Sequence, residues 1–379
     1  MLPDSFELGP IRPPSEAYSL LIRVTRNCPW NRCKFCHTYK GKKFELRSVE
    51  EIKQDILTAK AIQDKLKEIS WKSGYGDRVK EVAGAILNNP PNEAYFNVAL
   101  WLYYGGTSAF LQDANSLILR TNELVEVIKF LKQTLPSITR VTSYGRSKTA
   151  AKKKLDELVQ LRQAGLSRLH IGLESGYDPL LKFMDKGVTA AEHIAGGRKI
   201  VESGISLCEY VVLGLGGKKM WRAPATETAG VLNQIDPDFI RVRTLTIKPG
   251  MPLYDEVKKG NFIRATDEEI IEEEKLLIEH LDCHAYFVSD HLTNLLQEVE
   301  GKLPEDKEKM LASIARFHSL SPEEKHNFKV GRRVGIYNQL DDLYNLRKHS
   351  TVEHTIKKLS NDGNQIDEET IYSLMERFI

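Results

Sequence analysis

"NCPWNRCKFCH", residues 27–37, contains three of the five cysteines of this 379-residue chain. The apolar run "YSLLIRVTRN" (residues 18–27) leads directly into it and predicts a buried β-strand. Cys28, Cys33 and Cys36 follow the spacing C-x4-C-x2-C. Thiols clustered this tightly indicate metal or redox chemistry in a compartment that keeps thiols reduced.

The three cysteines suit more than one kind of site. Structural zinc usually takes four ligands, often from two C-x2-C pairs, and a fourth ligand from the adjacent His37 would need an awkward loop. A thioredoxin-like pair in "CKFC" would leave Cys28 unused. Three thiolates without a fourth suit a [4Fe-4S] cluster with one iron open to an exogenous ligand. The remaining cysteines, Cys208 and Cys283, lie in or near apolar strand patterns and are interpreted as core thiols.

Composition and charge narrow the class of protein. The chain has 54 basic and 52 acidic residues and a net charge of +2, which gives no signal of nucleic-acid binding. Hydrophobic residues make up 41% of the chain, as in ordinary globular proteins. No apolar run approaches the ~20 residues of a membrane span, and the N-terminus lacks a signal-peptide pattern. The sequence therefore predicts a cytoplasmic protein.

The order of the predicted elements indicates an α/β fold. Strand-like runs alternate with helical runs, and from Arg140 onward the strands begin roughly 30 to 40 residues apart, the length of a βα unit. Repeated βα units predict a parallel sheet, either doubly wound or a barrel. The clearest helix is predicted over Ser48–Ile69, because Ser48 and Glu51 have the spacing of a capping box.

The predicted domain organisation is a core followed by a tail. Residues 1–300 form the α/β core, and residues 70–107, where the strand and helix rhythm is interrupted, are interpreted as a helical insertion. Residues 301–379 are highly charged and predict a helical C-terminal extension. Several core strands end in polar or glycine-rich turns, and ligands bind at the carboxyl ends of parallel strands.

The cysteine loop and the strand ends together resemble the radical S-adenosylmethionine (radical SAM) superfamily. The resemblance rests on the three-cysteine loop after a first strand, on "GLESG" (residues 172–176) and on "GLGG" (residues 214–217). The usual superfamily motif is C-x3-C-x2-C, and this loop has one residue more. The resemblance covers about residues 16–300 and is nearest to the branch of anaerobic coproporphyrinogen oxidase and the methylthiotransferases. It implies a partial (β/α)6 TIM-like barrel.

The resemblance also implies two cofactors, a [4Fe-4S] cluster and S-adenosylmethionine. The expected cluster ligands are Cys28, Cys33 and Cys36. The residues expected to contact S-adenosylmethionine lie in the cysteine loop and at the strand ends: Phe35, Asp113, Asn115, Ser143, Arg146, Glu174, Gly214 and Gly216.

These residues have different implied roles. Asp113 and Asn115 lie in the stretch that resembles the second-strand motif for the methionine amine. Ser143 and Arg146 are placed to meet the methionine carboxylate or the ribose. Glu174 is expected to contact the ribose or the amino group, and the glycine turn of "GLGG" is expected to approach the adenine.

The implied activity is radical chemistry on a substrate that the sequence does not identify. In this superfamily, cluster reduction cleaves S-adenosylmethionine to a 5′-deoxyadenosyl radical that abstracts hydrogen from the substrate. The electron comes from a donor such as flavodoxin or ferredoxin. Asp290 and His291, at the end of the last predicted strand (residues 284–294), are candidate catalytic residues or caps of the following helix. The alternative for the whole chain is a cluster- or heme-binding chaperone-like module without radical turnover.

Overall fold

The computed structural model describes residues 4–360 and 366–375, and these fall into two compact units. The first unit has three segments: the described residues up to Asn31, Thr38–Gly172 and Ala195–Cys208. The second unit also has three segments: Arg32–His37, Leu173–Ile194 and the described residues from Glu209 onward.

The described residues form ten strands and fifteen α-helices. The strands are β1 (Leu20–Arg23), β2 (Thr25–Arg26), β3 (Glu45–Leu46), β4 (Ser108–Gln112), β5 (Arg140–Gly145), β6 (Leu166–Glu174), β7 (Ser206–Leu213), β8 (Phe239–Thr244), β9 (Tyr286–Val288) and β10 (Gly301–Lys302). The helices are α1 (Val49–Lys72), α2 (Val79–Asn88), α3 (Glu93–Tyr103), α4 (Thr121–Thr134), α5 (Ser147–Lys152), α6 (Leu155–Ala164), α7 (Asp178–Phe183), α8 (Ala190–Glu202), α9 (Arg222–Ile235), α10 (Pro252–Lys258), α11 (Asp267–His280), α12 (Lys307–Ser319), α13 (Pro322–Arg333), α14 (Leu346–Leu359) and α15 (Glu368–Met375). None of these helices is both long enough and apolar enough to cross a membrane.

Eight of the strands belong to one sheet, and β2 and β3 form a separate antiparallel pair. In the first unit the order is β1-β4-β5-β6, with parallel pairing from each strand to the next. In the second unit the order is β7-β8-β9-β10, where β9 is parallel to β8 and antiparallel to β10. The strands β6 and β7 contribute residues to both units. The predicted α/β fold, built from parallel strands alternating with helices, is confirmed.

The first long helix forms as its sequence predicts. Ser48 Oγ accepts the Glu51 N–H at 3.2 Å, and the Glu51 carboxylate accepts the Ser48 N–H at 2.8 Å, which completes the capping box. Ile52 and Ile56 on one face of α1 are fully buried. Burial of this apolar face stabilises α1, since an isolated helix is marginal in water.

The interrupted stretch before β4 is helical. It contains α2 and α3, and the side chain of Asn97 on α3 reaches the first strand. Asn97 Oδ1 accepts the Leu21 N–H at 3.0 Å, and its Nδ2 donates to the Ser19 carbonyl at 3.3 Å. The buried amide satisfies two backbone groups at once, so α3 is fixed against β1.

The last predicted strand is shorter than its sequence suggests. Only Tyr286–Val288 is extended, and the chain then turns because the Asn294 side chain bonds to β8. Asn294 Oδ1 accepts the Thr244 N–H at 2.8 Å, and its Nδ2 donates to the Val242 carbonyl at 2.9 Å. A two-residue strand, β10, pairs with β9 in a region where no strand was predicted.

Helix α13 of the C-terminal region holds this turn through two buried arginines. Arg332 donates to the carbonyls of Leu295 and Asn294, both at 2.9 Å. Arg333 donates to the Thr293 carbonyl at 2.6 Å. Helix α13 therefore fixes the loop that follows β9.

Candidate functional site

Two asparagines shape the first part of the cysteine loop, in the first unit. Asn27 and Asn31 have φ angles of 66° and 50°, in the left-handed region that asparagine tolerates better than most residues. The Asn31 N–H donates to Cys28 Sγ at 3.4 Å. The additional residue between the first two cysteines therefore lies within a tight, hydrogen-bonded turn.

The second part of the loop is held by backbone bonds within the second unit. The Lys34 N–H donates to the Met184 carbonyl at 2.9 Å, and the Lys34 carbonyl accepts the Leu253 N–H at 3.0 Å. These two bonds fix the backbone between Cys33, which is buried, and Cys36, which is half-buried.

The thiols provide a donor set that fits an iron–sulfur cluster. Cys28, Cys33 and Cys36 form no disulfide bonds. Each cysteine of a [4Fe-4S] cluster binds a different iron. Within residues 4–360 and 366–375, no three Cys, His, Asp or Glu side chains are arranged around a single metal ion. Cys208 and Cys283 are 1% and 2% exposed, and burial raises the pKa of Cys283 to about 11, as expected for core thiols.

Phe35 packs against an apolar cluster of the second unit. The cluster consists of Leu180, Met184, Leu215, Leu245, Ile247, Leu253 and Phe262. The ammonium of Lys186 lies 5.8 Å from the centre of the Phe35 ring. The aromatic residue of the loop therefore has an apolar surface beneath it and a cation beside it.

Glu174, at the end of β6, is half-buried and lies near the half-buried Lys186 and the buried Glu209. Its φ angle of 65° is unusual for a residue with a side chain, and such strain concentrates at functional sites. The Lys186 ammonium donates to Glu174 Oε1 at 2.7 Å. Glu209 on β7 is fully buried, and neither of its carboxylate oxygens has a hydrogen-bond partner. Burial raises the pKa of Glu209 well above its usual range, although Lys186 opposes this.

The sequence reasoning missed Lys186 and Glu209. The signal for Glu209 is a glutamate within the otherwise apolar run "SLCEYVVL" of β7. Lys186 lies between α7 and α8, where an isolated lysine gives no such signal.

Asp113 is buried in the first unit, and both of its carboxylate oxygens accept hydrogen bonds. Its Oδ2 accepts from Arg23 Nε at 2.8 Å and from the Asn27 N–H at 3.2 Å, and its Oδ1 accepts from the Tyr39 hydroxyl at 2.9 Å. Burial raises the pKa of Tyr39, and the neighbouring Asp113 charge raises it further. Asp113 therefore anchors the residue that precedes Cys28.

The other first-unit candidates are also hydrogen-bonded to the protein. Asn115 Oδ1 accepts the Arg146 N–H at 3.1 Å, and the Arg146 guanidinium lies 5.4 Å from the centre of the Trp30 ring. The Ser143 hydroxyl donates to the Leu111 carbonyl at 2.9 Å. Ser143 thus ties β5 to β4, whereas Arg146 extends toward an aromatic residue of the cysteine loop.

The glycine turn after β7 requires glycine for its own packing. Gly214 has a φ angle of 77°, and its N–H donates to Glu273 Oε2 at 2.7 Å. A Cβ on Gly216 would lie 1.6 Å from the Met220 carbonyl oxygen, so no larger residue fits there. Burial raises the pKa of Glu273 to about 8.

Gly214 also lines a cavity of about 420 Å³ in the second unit. Apolar side chains of Leu245, Ile247 and Phe262 form part of its wall, and Tyr372 of α15 completes it. The Tyr372 hydroxyl accepts the Ile247 N–H at 2.6 Å. The volume lies in the ~300–1,000 Å³ range of small-molecule sites.

Asp290 and His291 lie beside two arginines of β8. Asp290 Oδ2 accepts from Arg241 Nη1 at 2.8 Å. His291 Nδ1 accepts the Thr293 N–H at 3.3 Å. Burial and the charges of Arg243 and Arg241 together lower the pKa of His291 to about 4, so the imidazole is neutral near pH 7.

Residues 22–226, more than half of the chain, match the family model of the Radical SAM superfamily. The matched range contains the three-cysteine loop, Glu174 and the glycine turn. The chain belongs to the radical SAM superfamily. The match does not identify a substrate.

Curated relatives match this radical SAM chain over a limited length. The tRNA uridine(34) acetyltransferase of Methanocaldococcus infernus is 25% identical over 122 residues, which are 31% of this chain and 22% of the relative. The protein of the same name from Methanocaldococcus jannaschii is 24% identical over 122 residues, with the same coverage. The chain thus spans about a fifth of the length of these relatives.

Solved structures are also similar to the chain. Coproporphyrinogen III oxidase (HemN) from Escherichia coli has a TM-score of 0.44 and 15% identity, and the alignment covers 69% of this chain and 52% of that one. The Methanocaldococcus infernus Elp3 with an N-terminal deletion has a TM-score of 0.43 and 15% identity, and the alignment covers 55% of each chain.

Proposed function

We propose that this radical SAM enzyme holds a [4Fe-4S] cluster through Cys28, Cys33 and Cys36, binds S-adenosylmethionine at the open iron and acts on a substrate by hydrogen abstraction. Three thiols without disulfide bonds, in one loop inside the family match, carry the proposal. When bound and reduced, the cluster supplies the electron that splits S-adenosylmethionine into methionine and a 5′-deoxyadenosyl radical. The protein binds and orients the reactants and excludes water.

Lys186 and Glu174 provide charges that complement the methionine end of S-adenosylmethionine. That end carries one carboxylate and one amine. The two side chains form a half-buried ion pair beside Phe35, with 2.7 Å between Lys186 Nζ and Glu174 Oε1. In the proposed site, Lys186 pairs with the carboxylate, and Glu174 accepts from the amine or a ribose hydroxyl. The left-handed backbone at Glu174 supports a functional role for this position.

The adenine is proposed to lie beside the glycine turn, in the cavity lined by Gly214. Gly216 supports this turn, because only glycine fits against the Met220 carbonyl. The cavity wall and the surface beneath Phe35 share Leu245 and Ile247, so one apolar cluster would support both the ring of Phe35 and the base.

The first-unit candidates divide into contact and positioning residues. We assign Arg146 to the methionine carboxylate or the ribose, and Asn115 holds the backbone of Arg146. Asp113 positions the entry into the cysteine loop through Asn27, and Ser143 secures the strand end. A carboxylate that is fully hydrogen-bonded within the protein suits positioning better than direct binding.

Radical SAM enzymes need an electron donor and a substrate. We propose flavodoxin or ferredoxin as the donor, since both carry low-potential electrons in the cytoplasm. A cytoplasmic location fits three thiols that must stay reduced to bind iron. The substrate remains to be assigned.

Cluster loading tests this proposal. After anaerobic reconstitution with iron and sulfide, we expect about four iron atoms per chain. The electron paramagnetic resonance signal of the reduced cluster should change when S-adenosylmethionine is added. Replacement of Cys28, Cys33 or Cys36 by alanine should abolish loading, whereas the control Cys208→Ala should retain it. Protein that holds one zinc and no iron would contradict the proposal.

A further inference from the structure

Two arginines occupy neighbouring positions on one side of β8. Arg241 and Arg243 are two residues apart, so their side chains leave the strand on the same side. Arg241 is 7% exposed and donates to Asp290 Oδ2 at 2.8 Å. The charge of Arg241 is therefore offset by a carboxylate.

Arg243 has no such partner. Within residues 4–360 and 366–375, no carboxylate forms an ion pair with its guanidinium, and its buried Nε has no hydrogen-bond partner. Its guanidinium carbon lies 5.0 Å from the centre of the Tyr210 ring, which fixes one face of the group. A half-buried guanidinium with an unused buried donor is costly unless a ligand satisfies it.

His291, the titratable group beside the two arginines, does not neutralise the positive charge of Arg243. His291 is neutral near pH 7 because burial and the two arginines lower its pKa to about 4. Its position is fixed through Thr293, whose carbonyl accepts from Arg333 at 2.6 Å. The side of β8 that carries both arginines is thus a rigid surface with one uncompensated cation.

We propose that Arg243 binds an anionic group of the substrate, a carboxylate or a phosphate, with the Tyr210 ring holding the guanidinium in place. The planar guanidinium suits two-point recognition of either anion. Arg243 is the penultimate residue of β8, and ligands bind toward the carboxyl ends of parallel strands. The inference rests on the proposed function, since it assigns the substrate of that reaction to an anionic class.

The first test uses inorganic phosphate and acetate as probes, at constant ionic strength maintained with chloride. The reporters are the ring signals of His291 in nuclear magnetic resonance spectra, assigned by their loss in His291→Gln. An anion bound at Arg243 offsets part of the positive electrostatic field at His291. In the wild type, the His291 ring signals should therefore shift with anion concentration and reach a plateau. Arg243→Gln should abolish the shift.

The matched control is Arg222→Gln. Arg222 is exposed and lies 4.8 Å from the centre of the Trp221 ring, so it shares the aromatic contact of Arg243 without its burial. This control should respond to phosphate as the wild type does. An unchanged His291 signal up to ~100 mM phosphate and acetate, or an equal response in Arg243→Gln, would overturn the proposal. If Arg243→Gln does not fold, Arg243→Lys should fold and show weakened binding, since it keeps the charge but loses the planar fork.

The second test separates the substrate from S-adenosylmethionine, which also carries a carboxylate. Equilibrium dialysis of S-adenosylmethionine against the cluster-loaded enzyme should give dissociation constants for Arg243→Gln and wild type within about twofold of each other. A loss of about tenfold or more would assign the anion to S-adenosylmethionine and overturn the substrate assignment. The phosphate titration needs neither cluster reduction nor turnover. Phosphate binding in a protein that forms no 5′-deoxyadenosine would therefore contradict the proposed function and leave the anion site intact.

Discussion

The ammonium of Lys186 lies 2.7 Å from Glu174 Oε1, and the same ammonium lies 5.8 Å from the centre of the Phe35 ring. One side chain thus connects a strand end to the aromatic residue of the cysteine loop within the second unit. Glu174 and Phe35 were expected at the cofactor site from their motifs. Lys186 provides the positive charge that the motifs alone do not contain.

Loss of either charge of this pair should weaken the binding of S-adenosylmethionine. Glu174→Gln and Lys186→Met each remove a charge-assisted contact in a shielded place, so we expect the dissociation constant to rise about tenfold or more. Equilibrium dialysis with the cluster-loaded enzyme measures it. The exposed Lys182→Met on α7 serves as control. Wild-type affinity in both variants would refute the assignment.

Glu209 should make stability depend on pH in a defined direction. Burial raises its pKa in the folded protein, so its contribution to stability is fully present below the unfolded pKa near 4.5 and is lost as the pH rises toward the folded value. The free energy of unfolding of the wild type should therefore fall relative to that of Glu209→Gln between about pH 5 and about pH 8. Urea unfolding measures both. A difference that does not change with pH would argue against a buried, unpaired carboxyl.

Glu16 should have the opposite dependence. Burial alone would raise its pKa, but His170, Arg140 and Ser19 together lower it from 4.5 to about 2. Its contribution, about 3 kcal/mol from the size of this shift, is present above pH 4.5 and lost as the pH falls toward 2. Glu16→Gln should lower the free energy of unfolding by about that amount near neutral pH and progressively less in acid.

The control for Glu16 is Glu300→Gln, which changes an exposed carboxylate. It should leave the unfolding free energy within about 0.5 kcal/mol of the wild type. Equal losses for Glu16→Gln near neutral pH and near pH 3 would show that the ionised carboxylate does not stabilise the fold.

Arg333 should be essential for the stability of the second unit. Arg333→Met removes the bond to the Thr293 carbonyl and leaves Asp267, which accepts from Arg333 Nη2 at 2.5 Å, without this partner. Removing one partner of a buried ion pair lowers the free energy of unfolding by about 3 kcal/mol or more. We expect a loss of this size in urea unfolding, with displaced His291 ring signals in any folded fraction. The exposed Lys309→Met on α12 should have neither effect.

Local features of the sequence predicted much of the fold. The capping box at Ser48 depends on residues within one helix, and it formed as predicted. The end of β9 could not be predicted, because it depends on hydrogen bonds from Asn294 to β8. A long-range bond of one amide leaves no periodic pattern in the sequence.

The same distinction applies to the candidate site. Motif residues such as Cys28 and Glu174 can be recognised from the sequence, because each lies in a short pattern of neighbouring residues, the three-cysteine spacing and "GLESG". Lys186 and Arg243 acquire significance only from the charges and rings that the fold brings near them. Asp113 was expected to bind the cofactor, and its hydrogen bonds to Arg23 and its neighbours favour a positioning role instead, which stays a prediction.

The central claim is that the three-cysteine loop supports radical cleavage of S-adenosylmethionine. The direct measurement is 5′-deoxyadenosine formed by the reconstituted, reduced enzyme under anaerobic conditions. We compare the wild type with a variant in which Cys28, Cys33 and Cys36 are all alanine, and with the control Cys208→Ala. The account predicts product from the wild type and the control and none from the triple variant. A cluster-loaded wild-type protein that forms no 5′-deoxyadenosine would contradict it.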